Sequence, residues 1–129
     1  MKINFTYSVV GFFVILIVAG LVVKTVEKNK PGIYDEFAQC LTNNGAAMYG
    51  EDWCGNCQAQ KRMFGSSFKY MDYVECGLEP DKCRQESIEG YPTWKKHSSI
   101  ETVLVGKGVQ TLETLAGAFS CELPQKGRE

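Results

Sequence analysis

The sequence predicts an α/β fold: a central mixed four-stranded sheet with helices on both faces, preceded by one N-terminal transmembrane helix. Three observations carry this. Positions 3–23 hold no charged residue. After them, apolar patterning runs helix, strand, helix, strand, helix, strand, strand, helix. Alternation followed by a hairpin and a covering helix implies a mixed sheet covered on both sides. Third, Trp53-Cys54-Gly55-Asn56-Cys57 places two cysteines, with two residues between them, between a short apolar run and a helix-forming stretch.

Length and charge bound the rest. The chain has 129 residues and a net charge of -1. That suits one small domain with one appendage and gives no reason to expect nucleic acid as a partner. In the apolar run, Asn4, Thr6, Tyr7 and Ser8 soften the start, and 9–23 is almost purely apolar. A spanning helix needs about 20 such residues. A signal anchor over 1–24 is the preferred reading. A cleaved signal peptide competes, although such cores usually run about 7–15 residues. A buried soluble helix would carry a polar face. Orientation draws on two opposed signals. Lys24, Lys28 and Lys30 follow the run and only Lys2 precedes it, which by the positive-inside rule leaves the domain in the cytoplasm. Six cysteines in so short a chain point to an oxidising compartment. The cysteine signal is preferred, and the domain is expected outside the cytoplasm.

A polar linker over 25–32 ends in Pro31-Gly32, and the domain is expected over 33–122, with a polar tail at 123–129. Asp35 is read as the cap of a helix over 36–43, with Phe37, Cys40 and Leu41 on one face. A strand over 46–49 precedes the cysteine pair. Gln58 to Phe64 are mostly good helix formers and Gly65 offers a stop. Ser66-Ser67 reads as a break, 68–75 as a strand, 77–81 as a loop and 82–88 as a short helix holding Cys83. Pro92 lacks an N–H and therefore opens a strand rather than sitting inside one; a cis bond before it is expected to be worth considering. Strands over 93–96 and 101–105 form a hairpin whose tip holds His97, read as a solvated residue. Thr111 caps a last helix over 112–119, with Leu112, Leu115, Ala116 and Phe119 on one face.

The chemistry lies in the cysteine pair. At a helix N-terminus, free N–H groups and the positive dipole end favour a thiolate, which is the nucleophilic form. The same spacing serves zinc as readily. C-x2-C-x18-C-x6-C over Cys54, Cys57, Cys76 and Cys83 is formally a zinc set. A static disulfide is the third reading. The preceding apolar run and Pro92 favour redox work with no metal and no added cofactor: Cys54 attacks, Cys57 resolves. Trp53 and Trp94 are candidates for an apolar docking surface, with Trp94 equally suited to the core. Six is even, so Cys40 and Cys121 form a candidate bridge between the first domain helix and the tail. A buried free Cys40 and a loose Cys121 are the alternative.

The element order, Trp-Cys-x-x-Cys at the second domain helix and Tyr-Pro-Thr about 35 residues later resemble the thioredoxin fold over residues 33–121. The resemblance implies that Pro92 is cis and faces the cysteines, with Tyr91 and Thr93 flanking the substrate site. Met-Tyr-Gly, Trp-Cys-x-x-Cys-Gln, Lys-x-x-Phe-Gly, Tyr-Val-Glu-Cys, Glu-Gly-Tyr-Pro-Thr-Trp and Gly-Val-Gln-Thr-Leu-Glu-x-Leu-Ala narrow it. Together they resemble the thioredoxin-like domain fused to, or paired with, bacterial homologues of vitamin K epoxide reductase. That implies an extracytoplasmic thiol–disulfide oxidoreductase acting on exported cysteine-containing proteins, with a quinone-linked membrane enzyme as partner. The reductase's helical bundle is not in this sequence, so the expected partner is a separate chain. The resemblance also implies a second disulfide, Cys76–Cys83, read as a structural staple or as a redox relay. One departure stands out. The buried aspartate that thioredoxin carries six residues before the first cysteine is here Met48. Glu51 and Asp52 are nearer the motif but are expected to be more exposed.

Overall fold

The computed structural model describes residues 5–28 and 31–124. Lys2, Ile3 and Asn4 at the start of the expected anchor, Asn29 and Lys30 of the linker, and tail positions 125–129 lie outside them. The chain forms two units, 1–30 and 31–129.

The first unit holds helix α1, Phe5–Lys28. Its described side chains, Tyr7 and positions 9–22, are exposed and almost all apolar. Among the described residues no helix is long and apolar enough to cross a membrane.

The second unit runs α2 (Asp35–Asn43), β1 (Ala46–Gly50), α3 (Gly55–Phe64), a 3₁₀ helix (Gly65–Tyr70), β2 (Asp72–Glu75), α4 (Pro80–Gln85), β3 (Thr93–His97), β4 (Thr102–Lys107) and α5 (Leu112–Phe119). The sheet order is β2-β1-β3-β4. β1 runs parallel to β2 and antiparallel to β3, and β4 is antiparallel to β3. The sheet is therefore mixed and four-stranded, as the element order implies. Ala46-Ala47-Met48-Tyr49-Gly50 is apolar throughout because this strand is central and buried on both faces. Ala46 and Met48 pack with Phe37 and Leu41 of α2, Phe64 of α3 and Leu115 of α5. Ala47 and Tyr49 face the other way, toward Val74 and the Cys76–Cys83 region of α4. The period of two along one strand thus divides the core into two layers.

Several expectations change. Asp35 is the first residue of α2, not its cap. Its Oδ2 accepts from Gly32 N–H at 3.0 Å while its own N–H donates to Gly32 O, so the carboxylate holds the entering chain. The expected strand over 68–75 is shortened by the 3₁₀ helix. Phe68 turns inward against the rings of Phe64 and Tyr73, and Ser67 is buried, its Oγ accepting from Tyr34 N–H at 3.2 Å. α4 begins earlier, because Pro80 supplies a helical φ at N1. It ends earlier too, because Ser87 adopts a positive φ of 52°. β4 continues through Gly106, past a register shift at Trp94/Lys95. His97 belongs to β3 rather than to the tip. Its Nε2 lies 2.9 Å from Tyr49 Oη and its Nδ1 3.0 Å from Thr102 Oγ1.

Candidate active site

The site lies where the carboxyl end of β1 meets the start of α3. Cys54 is the N-cap, with extended backbone at φ -74° and ψ 117°. Its Sγ accepts from the Cys57 backbone N–H at 3.3 Å, so the sulfur occupies the place where a capping oxygen satisfies an orphan donor. Cys57 lies one turn inward and is fully buried; Cys54 is 9% exposed. Neither is bonded. Burial pushes the Cys57 thiol up to about 12, with the hydrogen bond to Cys54 adding to it.

The Tyr91–Pro92 peptide bond is cis. It presents the Tyr91 carbonyl to Cys54, whose Sγ lies 3.8 Å away. Tyr91 and Trp53 meet edge to face, ring centroids 6.5 Å apart, and Trp53 is 79% exposed. An amphipathic ring left this open beside a cysteine pair suits a docking surface. Thr93 lies inside: its hydroxyl donates to Gly90 O at 2.7 Å and is committed to holding the loop. Trp94 is core. It is fully buried against Phe64, and its Nε1–H donates to Gln60 Oε1 at 3.3 Å. Gln60 also accepts from Gln110 N–H and donates to Gln110 O, so this buried amide is satisfied.

The remaining four cysteines form two disulfides, Cys40–Cys121 and Cys76–Cys83, with Cα–Cα distances of 6.0 and 5.7 Å. Because Cys76 and Cys83 bond each other, the four-cysteine zinc set is not assembled. Among the described residues no group of three or more His, Cys, Asp or Glu is placed to hold a metal ion.

The acid groups gather where the sequence does not place them. Met48 is fully buried in the core. Glu51, expected to be exposed, is half-buried, as is Glu75 on β2. Burial raises the Glu51 carboxyl, and the hydrogen bond and charge of Glu75 raise it further. Tyr73 Oη donates to Glu75 Oε2 at 2.5 Å, and burial pushes the phenol well above its ordinary range. Asp52 is exposed and pairs with Lys61 at 2.7 Å, which lowers its carboxyl. Lys61 Nζ also stands 3.8 Å over the Tyr73 ring. Tyr73 and Glu75 enter the sequence analysis only within the Tyr-Val-Glu-Cys motif and with no role at the site, although their i, i+2 spacing on a strand puts both on one face.

The chain is similar to several known proteins. The chain is 42% identical over 66 residues to a thiol–disulfide oxidoreductase, LTO1, of Arabidopsis thaliana, covering 44% of this chain and 18% of that protein. It is 24% identical over 90 residues to a protein disulfide-isomerase of Aspergillus niger, covering 63% and 18%. The chain thus spans about 18% of the length of these curated relatives. No protein-family profile matches it. Among solved structures, mitochondrial thioredoxin 3 of Saccharomyces cerevisiae superposes with a TM-score of 0.46 at 16% identity, over 66% of this chain and 86% of that one. The strand order, the cysteine pair opening α3 and the cis-proline loop beside it define a thioredoxin-like fold. Its sequence relatives are thiol–disulfide oxidoreductases and protein disulfide-isomerases.

Proposed function

We propose that this chain is a membrane-anchored thiol–disulfide oxidoreductase. It works outside the cytoplasm on exported cysteine-containing proteins and passes electrons to a vitamin K epoxide reductase-like membrane protein. One observation carries the chemistry: Cys54 and Cys57 stand unbonded at a helix N-terminus beside the cis-proline loop. The uncharged run over 3–23 supports the anchor. The two further disulfides support an oxidising compartment. The ordered motifs from Met-Tyr-Gly to Leu-Ala support the choice of partner.

In the oxidising direction a substrate thiolate attacks the Cys54–Cys57 disulfide at Cys54. A substrate–Cys54 bond forms, the Cys54–Cys57 bond breaks, and Cys57 leaves with the electron pair and takes up a proton. A second substrate thiolate then displaces Cys54. The substrate gains a disulfide, and the protein holds two thiols for the membrane partner to reoxidise. Reduction is the same path reversed. Trp53 and Tyr91 offer the apolar landing, and the Tyr91 carbonyl offers backbone for an extended substrate strand.

A Cys57→Ser variant cannot resolve the mixed disulfide. It should accumulate covalent adducts through Cys54 that a strong reductant releases. If neither exported proteins nor a model dithiol substrate is trapped, the chemistry is wrong. If adducts form but quinone-linked membrane extracts do not reoxidise the wild-type pair, the choice of partner is wrong.

A further inference from the structure

The resolving thiol is fully buried, and the acid at position 48 that would serve it is a methionine. Each turn of the exchange must nevertheless remove a proton from Cys57 or return one. Two bare backbone positions reveal what is packed around it. A methyl group placed on Gly50 would stand 2.8 Å from Cys57 Sγ and 3.3 Å from Tyr73 Oη. A methyl on Gly77 would stand 2.7 Å from Glu51 Oε2 and 3.3 Å from Glu75 Oε1. Between them, the Tyr73 hydroxyl donates to Glu75 Oε2 at 2.5 Å. Cys57 Sγ and Tyr73 Oη thus border the same bare backbone position, and Tyr73 leads on to a pair of carboxyls.

We propose that Tyr73, Glu75 and Glu51 form the proton relay of Cys57, in place of the buried acid absent at position 48. This deepens the oxidoreductase reading and rests on it. The groups facing the relay are Cys54 and Lys61 from α3, Glu51 and Asp52 from the loop before it, Tyr73 and Glu75 from β2, and Tyr91 from the cis-proline loop. Lys61 is engaged by Asp52. Glu51 and Glu75 then share one site, where burial together with the hydrogen bond and charge of Glu75 raises the Glu51 carboxyl. When Cys57 resolves a mixed disulfide, its S–H bond breaks and the proton passes to Tyr73 Oη. The tyrosine's own proton moves to the carboxyl pair. The Cys57–Cys54 bond forms, and the bond from Cys54 to the substrate breaks. The leaving sulfur keeps the electron pair and recovers a proton from Glu51, which lies two residues before Trp53 in the chain. Protons and electrons balance with no further reactant.

The test uses the full chain, reduced at Cys54–Cys57 with the other two disulfides intact, and an aromatic disulfide reagent, 5,5′-dithiobis(2-nitrobenzoate). The first thionitrobenzoate released reports attack by Cys54. The second reports resolution by Cys57. Tyr73→Phe keeps the ring beneath Lys61 and Glu75→Gln keeps the shape, so the first release also checks that the variant is folded. Both should leave the first release unchanged and slow the second by about 10²-fold at neutral pH, the usual range for a lost proton-transfer group. That deficit should shrink as pH rises, and Glu75→Asp should recover part of the rate. A second release unchanged in both variants, or slowed equally at every pH, overturns the relay. Absence of the first release from the wild-type chain overturns the oxidoreductase reading, and the relay with it.

Discussion

Cys54–Cys57 and the two closed pairs are the same atoms in different backbone settings. Cys54 caps a helix, with an N–H aimed at its sulfur and a carbonyl and an aromatic surface beside it. Cys76–Cys83 closes the loop from β2 into α4 and lies inside the smaller core layer. Cys40–Cys121 ties α2 to the segment after α5 across a sequence separation of 81. The difference is one of purpose: at the first pair the fold supplies groups that stabilise and relay charge, and at the other two it supplies only packing and closure.

The comparison breaks most visibly at the long closure. Cys40→Ala/Cys121→Ala releases a loop with a separation of 81, which chain entropy values at about 4 kcal/mol. Chemical denaturation should show a loss of that order, with thiol exchange intact below the lowered midpoint. Cys76→Ala/Cys83→Ala releases a separation of only 7 and should cost about 2 kcal/mol. Its exchange rate should equal that of the wild type; loss of exchange would instead make this pair a relay for Cys54–Cys57. The smallest effect concerns pH. The folded Cys57 thiol titrates at about 12 against an ordinary 9.0, so the folded chain keeps a proton that the unfolded chain has already released. The contribution is complete below about pH 9 and disappears as pH rises toward about 12. The reduced form should therefore lose stability with alkali ahead of the oxidised form, in which Cys57 does not titrate. Parallel denaturation curves for the two forms between pH 8 and 10 would contradict this.

Much of the scaffold was legible because its signals are local. Thr111 caps α5 as expected, its Oγ1 accepting from Thr114 N–H at 3.1 Å, since a cap and an apolar face lie within one helix. The cysteine pair and Gly65 bounded α3 for the same reason. The start of β2 was misjudged because Phe68, Tyr70 and Tyr73 read as strand residues. Within the 3₁₀ helix, buried Ser67 meets Tyr34 from 33 positions away, a contact that no local pattern shows. His97 was read as solvated because its partners, Tyr49 and Thr102, sit on two other strands. Position in the loop predicts an exposed Glu51; its partial burial comes from Glu75 and Gly77, which local spacing does not show.

By itself the sequence determined the chemistry available: two cysteines at a helix start, a proline poised to shape the facing loop, and no acid at position 48. These depend on residue identity and on spacing within a few turns. Only the tertiary structure decided which cysteines are free, that Thr93 and Trp94 point inward while Trp53 stays in solvent, and where the acid groups gather. Each of these depends on strand register and on distances between distant segments. Parallel pairing of β1 with β2 sets Glu75 opposite Gly50, and with it the carboxyl pair beside the buried sulfur.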